Sequence, residues 1–504
     1  MVMKKNNYKP IASLKKGFEL RKKIFFNRAS AVFPIFITKK NDFFIVFFNY
    51  WKNKNMIDSD QISLIINIYD ENGNLIKRNE KKINEFHNQF SIKESLEKKY
   101  TKNFSGSVNI EILSLVKLGF PFPAIIGVYK SNNLYSSVHS AGRIKDANER
   151  HDINYTDETN WSCKFKKGIT PFFHYFKGPT EPRLKKIKVS LLSHKKKIKK
   201  IKEIDVTKIQ PFGSKIFYIK DIFKNIKFSS LDFISVKVEH NSIFPRLIVG
   251  NFHKKKKFFE VTHSFPTIYH KDYCPLIKEK PVQSKLSGYR IKDLNLDLKV
   301  FPTNCPGFFK ATPFIKKFNQ KKLLPSNKII KFSPKVLSQT NVFNVKHDDQ
   351  FLSLKMFGKK IPSRFNASFI YKVKDKKTEY SVDIADGARS CVTPAKTSHW
   401  GHGYIGEKYE TVVLIINDNY QIKNNEAAEG ELNIYSSNFK NKKKIKIDAD
   451  SITAIKISDF DKSKKLKKKN NFFSWFLKMS KPGCEAFWLS YRKSDGAIFG
   501  DHSF

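Results

Sequence analysis

Short apolar runs broken by polar turns recur along the chain, and the spacing within them is that of strands, not helices. The clearest case is Phe244 to Pro266. Leu247 to Asn251 is apolar, His253 to Lys257 is a polar turn, and Phe258 to Thr262 is an apolar return that ends on His263-Ser264. This pattern predicts a β-hairpin. The same order of strand, turn and return appears at Pro121 to Arg143, ending on His139-Ser140. It appears again at Pro362 to Arg389, where Asp383 or Asp386 stands near the place of the His, and at Pro482 to Phe504, ending on His502-Ser503. Ser494 to Gly496 in the last copy is a strong short-turn signal, as is Asn72-Gly73 in an earlier hairpin, where positive φ is expected at both positions.

The leading prolines, Pro123, Pro245, Pro362 and Pro482, are spaced by about 120 residues, a usual size for one domain. A second marker keeps the same phase: Ile92 to Leu96, Ile219 to Phe223 and Ile457 to Phe460, with Phe332 to Val336 as a poorer fourth copy. A longer period is superimposed. The odd copies end in Ala-Gly-Arg (Ala141 to Arg143) or Gly-Ala-Arg (Gly387 to Arg389) and run into segments holding Trp161 and Trp400, whereas the even copies end in His-Ser-Phe. The expected fold is therefore all-β: four tandem antiparallel β-sandwich modules of immunoglobulin-like size, arranged as a duplicated two-module unit.

The expected boundaries are a basic arm over 1–28, module one over 29–143 and a polar exit loop over 144–170. Module two follows over 171–266, then a linker over 267–292, module three over 293–389, a second exit loop over 390–407 and module four over 408–504. Thr411 to Ile416 is continuously apolar and rich in Val and Ile, the signature of a strand buried on both faces.

The net charge of +49 is extreme. Lys greatly outnumbers Arg, and Asn, Ile and Phe are abundant, so the composition is also what an AT-rich coding sequence writes. Whatever its origin, such a surface attracts polyanions in a salt-dependent way. The clusters Lys195 to Lys202, Lys254 to Lys257 and Lys462 to Lys469 are expected in turns and loops. They lack the interleaved aromatics of a base-stacking surface, which argues against sequence-specific nucleic-acid binding. Five scattered cysteines with no CxxC pair imply neither a disulfide framework nor a zinc site and suit a reducing compartment. The longest apolar run, Phe43 to Trp51, is too short to span a bilayer. Residues Ala31 to Thr38, broken by Pro34, make a poor signal peptide, and the expected location is cytoplasmic or peripheral to a membrane surface, with export left open.

Candidate ligand-binding residues fall into three groups. The first is the set of His-Ser endings, His139, His263 and His502, where imidazole could ligate a metal, bond a sugar hydroxyl or phosphate, or simply cap a strand. The second is the scarce arginines of the hairpins, Arg143, Arg246, Arg364, Arg389 and Arg492, suited to bidentate binding of carboxylate or phosphate or to pairing with nearby acids. The third is the exit loops, with His151, Trp161, His399, Trp400 and His402, which could hold a sugar or simply fold onto their modules. His399 and His402 alone lack the further ligands a metal site needs, and no metal or cofactor is expected. Asp157 and Glu158 are adjacent, which on a strand points them to opposite faces, and no phosphate-loop, dinucleotide, metalloprotease or kinase motif is present. These features point to a non-catalytic binding or scaffold protein for an anionic ligand such as a surface polysaccharide. Two readings stand beside it: an enzyme acting on a glycan or phosphate ester, with His139, Arg143 and His151 as first suspects, and a self-assembling structural protein. The oligomeric state is left open.

Overall fold

The computed structural model describes residues 27–54, 62–83, 85–114, 125–140, 155–159, 161–179, 181–193, 198–239, 247–266, 273–275, 282–291, 294–301, 307–318, 320, 322–333, 341–345, 348–358, 360–362, 364–373, 379–387, 397–417, 426–437, 439–460 and 471–504. Nearly all the regular structure is antiparallel strand. Module one has eight strands: β1 (Asn27–Thr38), β2 (Asn41–Phe48), β3 (Ile62–Asp70), β4 (Leu75–Lys82), β5 (His87–Ser91), β6 (Asn103–Ser114), β7 (Ile125–Ser131) and β8 (Leu134–Ser140). They form two sheets, one in the order β1-β6-β3-β4 and the other in the order β5-β2-β7-β8.

The strands of 155–266, 282–387 and 398–502 repeat this wiring. Counting strands within each set, the first pairs with the sixth, the sixth with the third and the third with the fourth. In the other sheet the fifth pairs with the second, the second with the seventh and the seventh with the eighth. Module two adds Phe265–Pro266 beside its first strand. In module three the fourth strand is split into Leu324–Pro325 and Ile330–Phe332, both paired with the third and counted as one, and a small sheet, Tyr273–Pro275 on Lys360–Pro362, lies outside the shared plan. A short helical turn follows the fifth strand in modules one (Ile92–Ser95), two (Ile219–Ile222) and four (Ile457–Asp459). In the first, Ser91 caps the turn by accepting from the Glu94 N–H at 3.1 Å.

Several expectations need correction. Tyr155–Thr159 and Ser398–Ile405, expected within exit loops, are the first strands of modules two and four. Val282–Tyr289, expected in the linker, is the first strand of module three. The expected boundaries ignored these strands because they are polar or rich in His and Gly, and a first strand is recognised by its partner more than by its own pattern. Phe332 closes Ile330–Phe332, a strand ahead of the fifth strand (Asn341–Val345), so it is no counterpart of the helical turns. Lys199 to Lys202 lie in a strand, Ile198–Asp205, not a loop. Lys254 to Lys257 do form a hairpin turn, and Lys462 to Lys469 lie outside the described residues. At Asn72-Gly73 only Gly73 takes positive φ, at 89°, because the Asp70 carboxylate organises the turn by accepting from the N–H groups of Asn72 and Asn74.

The inner sheets, those containing the seventh and eighth strands, are buried on both faces in modules one and four. In module one, Phe43, Ile45 and Phe47 point into the module's own core, while Val46 joins the core of module four. In module four, Val413 and Ile415 face inward, while Val412, Leu414 and Ile416 join the core of module three. This explains why Thr411 to Ile416 is apolar throughout. Module two places Phe259 and Val261 against module one. Each module thus packs on the next and the fourth packs on the first, so the four close around a shared centre. Among the described residues, no helix is long and apolar enough to cross a membrane.

Candidate functional site

The centre is made of the four eighth strands: β8, Phe258–His263, Glu379–Gly387 and Ile498–His502. Each is the free edge of its inner sheet, with one side of its backbone unpaired by any strand. At the hairpin end, Leu134, Phe258, Tyr380 and Ile498 belong to one apolar cluster. Farther along, side chains of one edge satisfy the backbone of the next. The Val261 N–H donates to Ser136 Oγ at 2.9 Å, and the Ser381 N–H donates to Glu260 Oε1 at 2.8 Å.

At the far end three imidazoles converge. The His139 ring lies 4.5 Å from that of His263 and 4.8 Å from that of His502, both edge-on. His139 Nδ1 is 2.5 Å from Asp501 Oδ2, and His502 Nε2 is 3.8 Å from Asp501 Oδ1. His139, His263 and Asp501 are buried, whereas the His502 side chain is 35% exposed and opens the cluster to solvent. The acceptors fix the tautomers. His263 Nδ1 faces the Ser264 carbonyl and His502 Nδ1 faces the Ser503 carbonyl, each at 2.8 Å, so each Nδ1 carries the hydrogen. Burial works to raise the Asp501 carboxyl, but the charges of His139 and His502 and the hydrogen bonds outweigh it and hold it below the usual carboxylate range. An ionised Asp501 accepts from His139 Nδ1–H. Phe504 leans on His139 and His502 at 5.0 Å, and Phe265 on His263 at 4.7 Å.

A second buried polar group joins modules two and three. Lys164 Nζ is 2.5 Å from Glu260 Oε1, and His253 Nε2 is 3.1 Å from Glu260 Oε2. Burial would raise Glu260, but the Lys164 charge and the His253 contact prevail and bring it down to about 2. Asn251 accepts from the Lys164 N–H and donates to the Ser162 carbonyl, and the Ser162 N–H donates to Asp383. Asp383 is pushed up to about 6 by burial, partly offset by the hydrogen bond from the Ser162 N–H.

The expected residues therefore divide. His139, His263 and His502 meet. Asp383 departs from the pattern and serves the module two–three joint, and the Asp386 side chain lies outside the described residues. So do Arg143, His151, Arg246 and Arg389 entirely, and the side chain of Arg364. Arg492 pairs with Asp495 in its own hairpin turn and donates to the Asn133 carbonyl at 2.9 Å. The tryptophans are not exposed platforms: Trp161 is 1% exposed within the module two core, and Trp400 stacks on Tyr50 at 4.4 Å. His399 and His402 are buried in a strand and go to different partners, Ser503 Oγ and Ser474 Oγ, both at 3.0 Å. The Ser474 hydroxyl also meets His87 Nδ1 at 2.8 Å, tying module one to module four.

Sequence reading missed Asp501, Glu260, Lys164 and His87. Glu260 had a signal, a lone acid inside the apolar run Phe258 to Val261, and Asp501 adjoins a His already singled out. No protein-family model matches the chain, and no curated protein matches it.

Proposed function

We propose that the chain is a non-catalytic binding or scaffold protein that recognises a polyanion, with a sulfated or carboxylated polysaccharide as the ligand class. One observation carries the reading. The fourth strand is the outer edge of the outer sheet, and in three modules it is rich in exposed cations. Module one presents Lys77, Arg78, Lys81 and Lys82, module two Lys199, Lys200 and Lys202, and module four Lys440, Lys442, Lys443, Lys444 and Lys446. Among the described residues, Lys199 meets Asp232 at 2.6 Å and Lys442 meets Glu431 at 3.5 Å. Rows of cations on extended strands suit a linear polyanion, held by charge and released by salt. The same lysines oppose edge-to-edge pairing, which favours binding over self-assembly.

The test is a salt series of binding to a sulfated glucan, a polyuronate and an uncharged glucan. The reading expects binding to both anionic polymers at low salt, a steep loss as salt rises, and none to the neutral polymer. Absence of binding at low ionic strength overturns it.

A further inference from the structure

We propose that His139, Asp501 and His502 form a binding site for one divalent transition-metal ion of the Zn2+ class, bridging modules one and four. One ligand atom from each of the three lies within 4.8 Å of the others. Two imidazoles and a carboxylate are a donor set that suits zinc, with a fourth position left for water. Asp501 Oδ1 and His502 Nε2 are 3.8 Å apart, a gap that a cation with bonds of ~2 Å to each can span.

The surroundings fit as well. His502 donates Nδ1–H to the Ser503 carbonyl, so in the neutral ring Nε2 is the lone-pair nitrogen, oriented toward the carboxylate. That is the second-shell arrangement metal-bound histidines use. His139 reaches the carboxylate through Nδ1. For the neutral ring, coordination through that atom moves its hydrogen to Nε2; a protonated ring releases its Nδ1 proton to solvent on binding the ion. The ion adds +2 against the one negative charge of Asp501. His263, edge-on to His139, positions that ring and is outside the ligand set. The partly open His502 gives a route of entry. The inference is independent of the polyanion reading, because its residues lie at the inner edges and the cationic rows lie at the outer ones.

The experiment uses the full chain, stripped with a chelator and titrated with Zn2+ alone and with Co2+ alone, by calorimetry, visible absorption and thermal unfolding. The inference expects one equivalent of Zn2+, the visible bands of low-coordinate Co2+, and a rise in unfolding temperature with metal. It expects His502→Ala, at a partly exposed position that keeps the fold, to weaken Zn2+ at least about tenfold, and Asp501→Asn about 10–100-fold. His87→Gln, at a separate joint, is expected to keep wild-type affinity. Equal Zn2+ affinity in wild type and His502→Ala overturns the site, as does a wild-type protein that neither binds Zn2+ nor gains stability from it.

Discussion

The eighth and fourth strands pose one physical problem and solve it in opposite ways. Both are sheet edges with a row of unpaired backbone groups. The eighth strands turn inward and are satisfied by neighbours: Ser136 serves Val261, Glu260 serves Ser381, and Asp501 holds His139. The fourth strands turn outward and carry exposed lysines. Polar groups at the inner edge therefore join the modules, whereas the outer edge presents its charge to solvent. A substitution inside should alter stability and one outside should alter binding.

The sharpest contrast is expected at Lys164. Lys164→Met removes the cation that offsets the burial of Glu260, and a loss of about 3–5 kcal/mol is expected in denaturant unfolding. Lys443→Met on the outer edge is expected to leave the midpoint in place. If both behave alike, the contrast fails.

Acid should separate the buried groups next. Burial lowers His87 to about 4, so its folded form resists protonation. The stability it contributes is present above the usual imidazole value and is lost as pH falls from 6.5 to about 4, a change of about 3 kcal/mol. His174, brought down to about 3 by burial, acts in the same direction. Asp383 acts oppositely: its folded form favours the proton, so stability rises as pH falls from about 6 toward 3.8. Glu260 holds its contribution until pH falls below 4.5 and loses it toward 2. A pH series of unfolding on wild type and His87→Gln checks the first window, where the variant should show a shallower slope.

Smaller still is Ser136→Ala, which removes the acceptor of the Val261 N–H. A loss of about 1–2 kcal/mol is expected, with no effect on polyanion binding. The smallest change in stability is expected for Lys442→Gln, Lys443→Gln and Lys444→Gln combined. It should leave unfolding unchanged while weakening polyanion binding and flattening its salt dependence, measured by a salt series.

Much of the fold was legible because a strand buried on one or two faces writes its burial into the sequence. Thr411 to Ile416 is the plain case, and the hairpins ending on His139, His263 and His502 did occupy one place in the wiring. First strands such as Tyr155–Thr159 and Ser398–Ile405 were not legible, since their polar or His-rich pattern is that of a loop until the sixth strand stands beside them. The shared wiring marks all four modules alike, so it carries no separate sign of a two-module unit. For the site, the recurrence of His pointed to the right residues, but their meeting is a matter of how four modules close, and a linear pattern holds no record of it. The tryptophans misled because an aromatic in a polar segment reads as exposed, whereas Trp161 and Trp400 each anchor their segment into a core.

Amide hydrogen exchange, resolved along the eighth and fourth strands, tests the central claim most directly. The inner edges, Val261 and Ser381 above all, should exchange as slowly as amides inside the sheets, and the outer edge over Ile198–Asp205 should exchange fast on the side away from its partner. Fast exchange at both Val261 and Ser381, matching that outer strand, would contradict a core built from four joined edges.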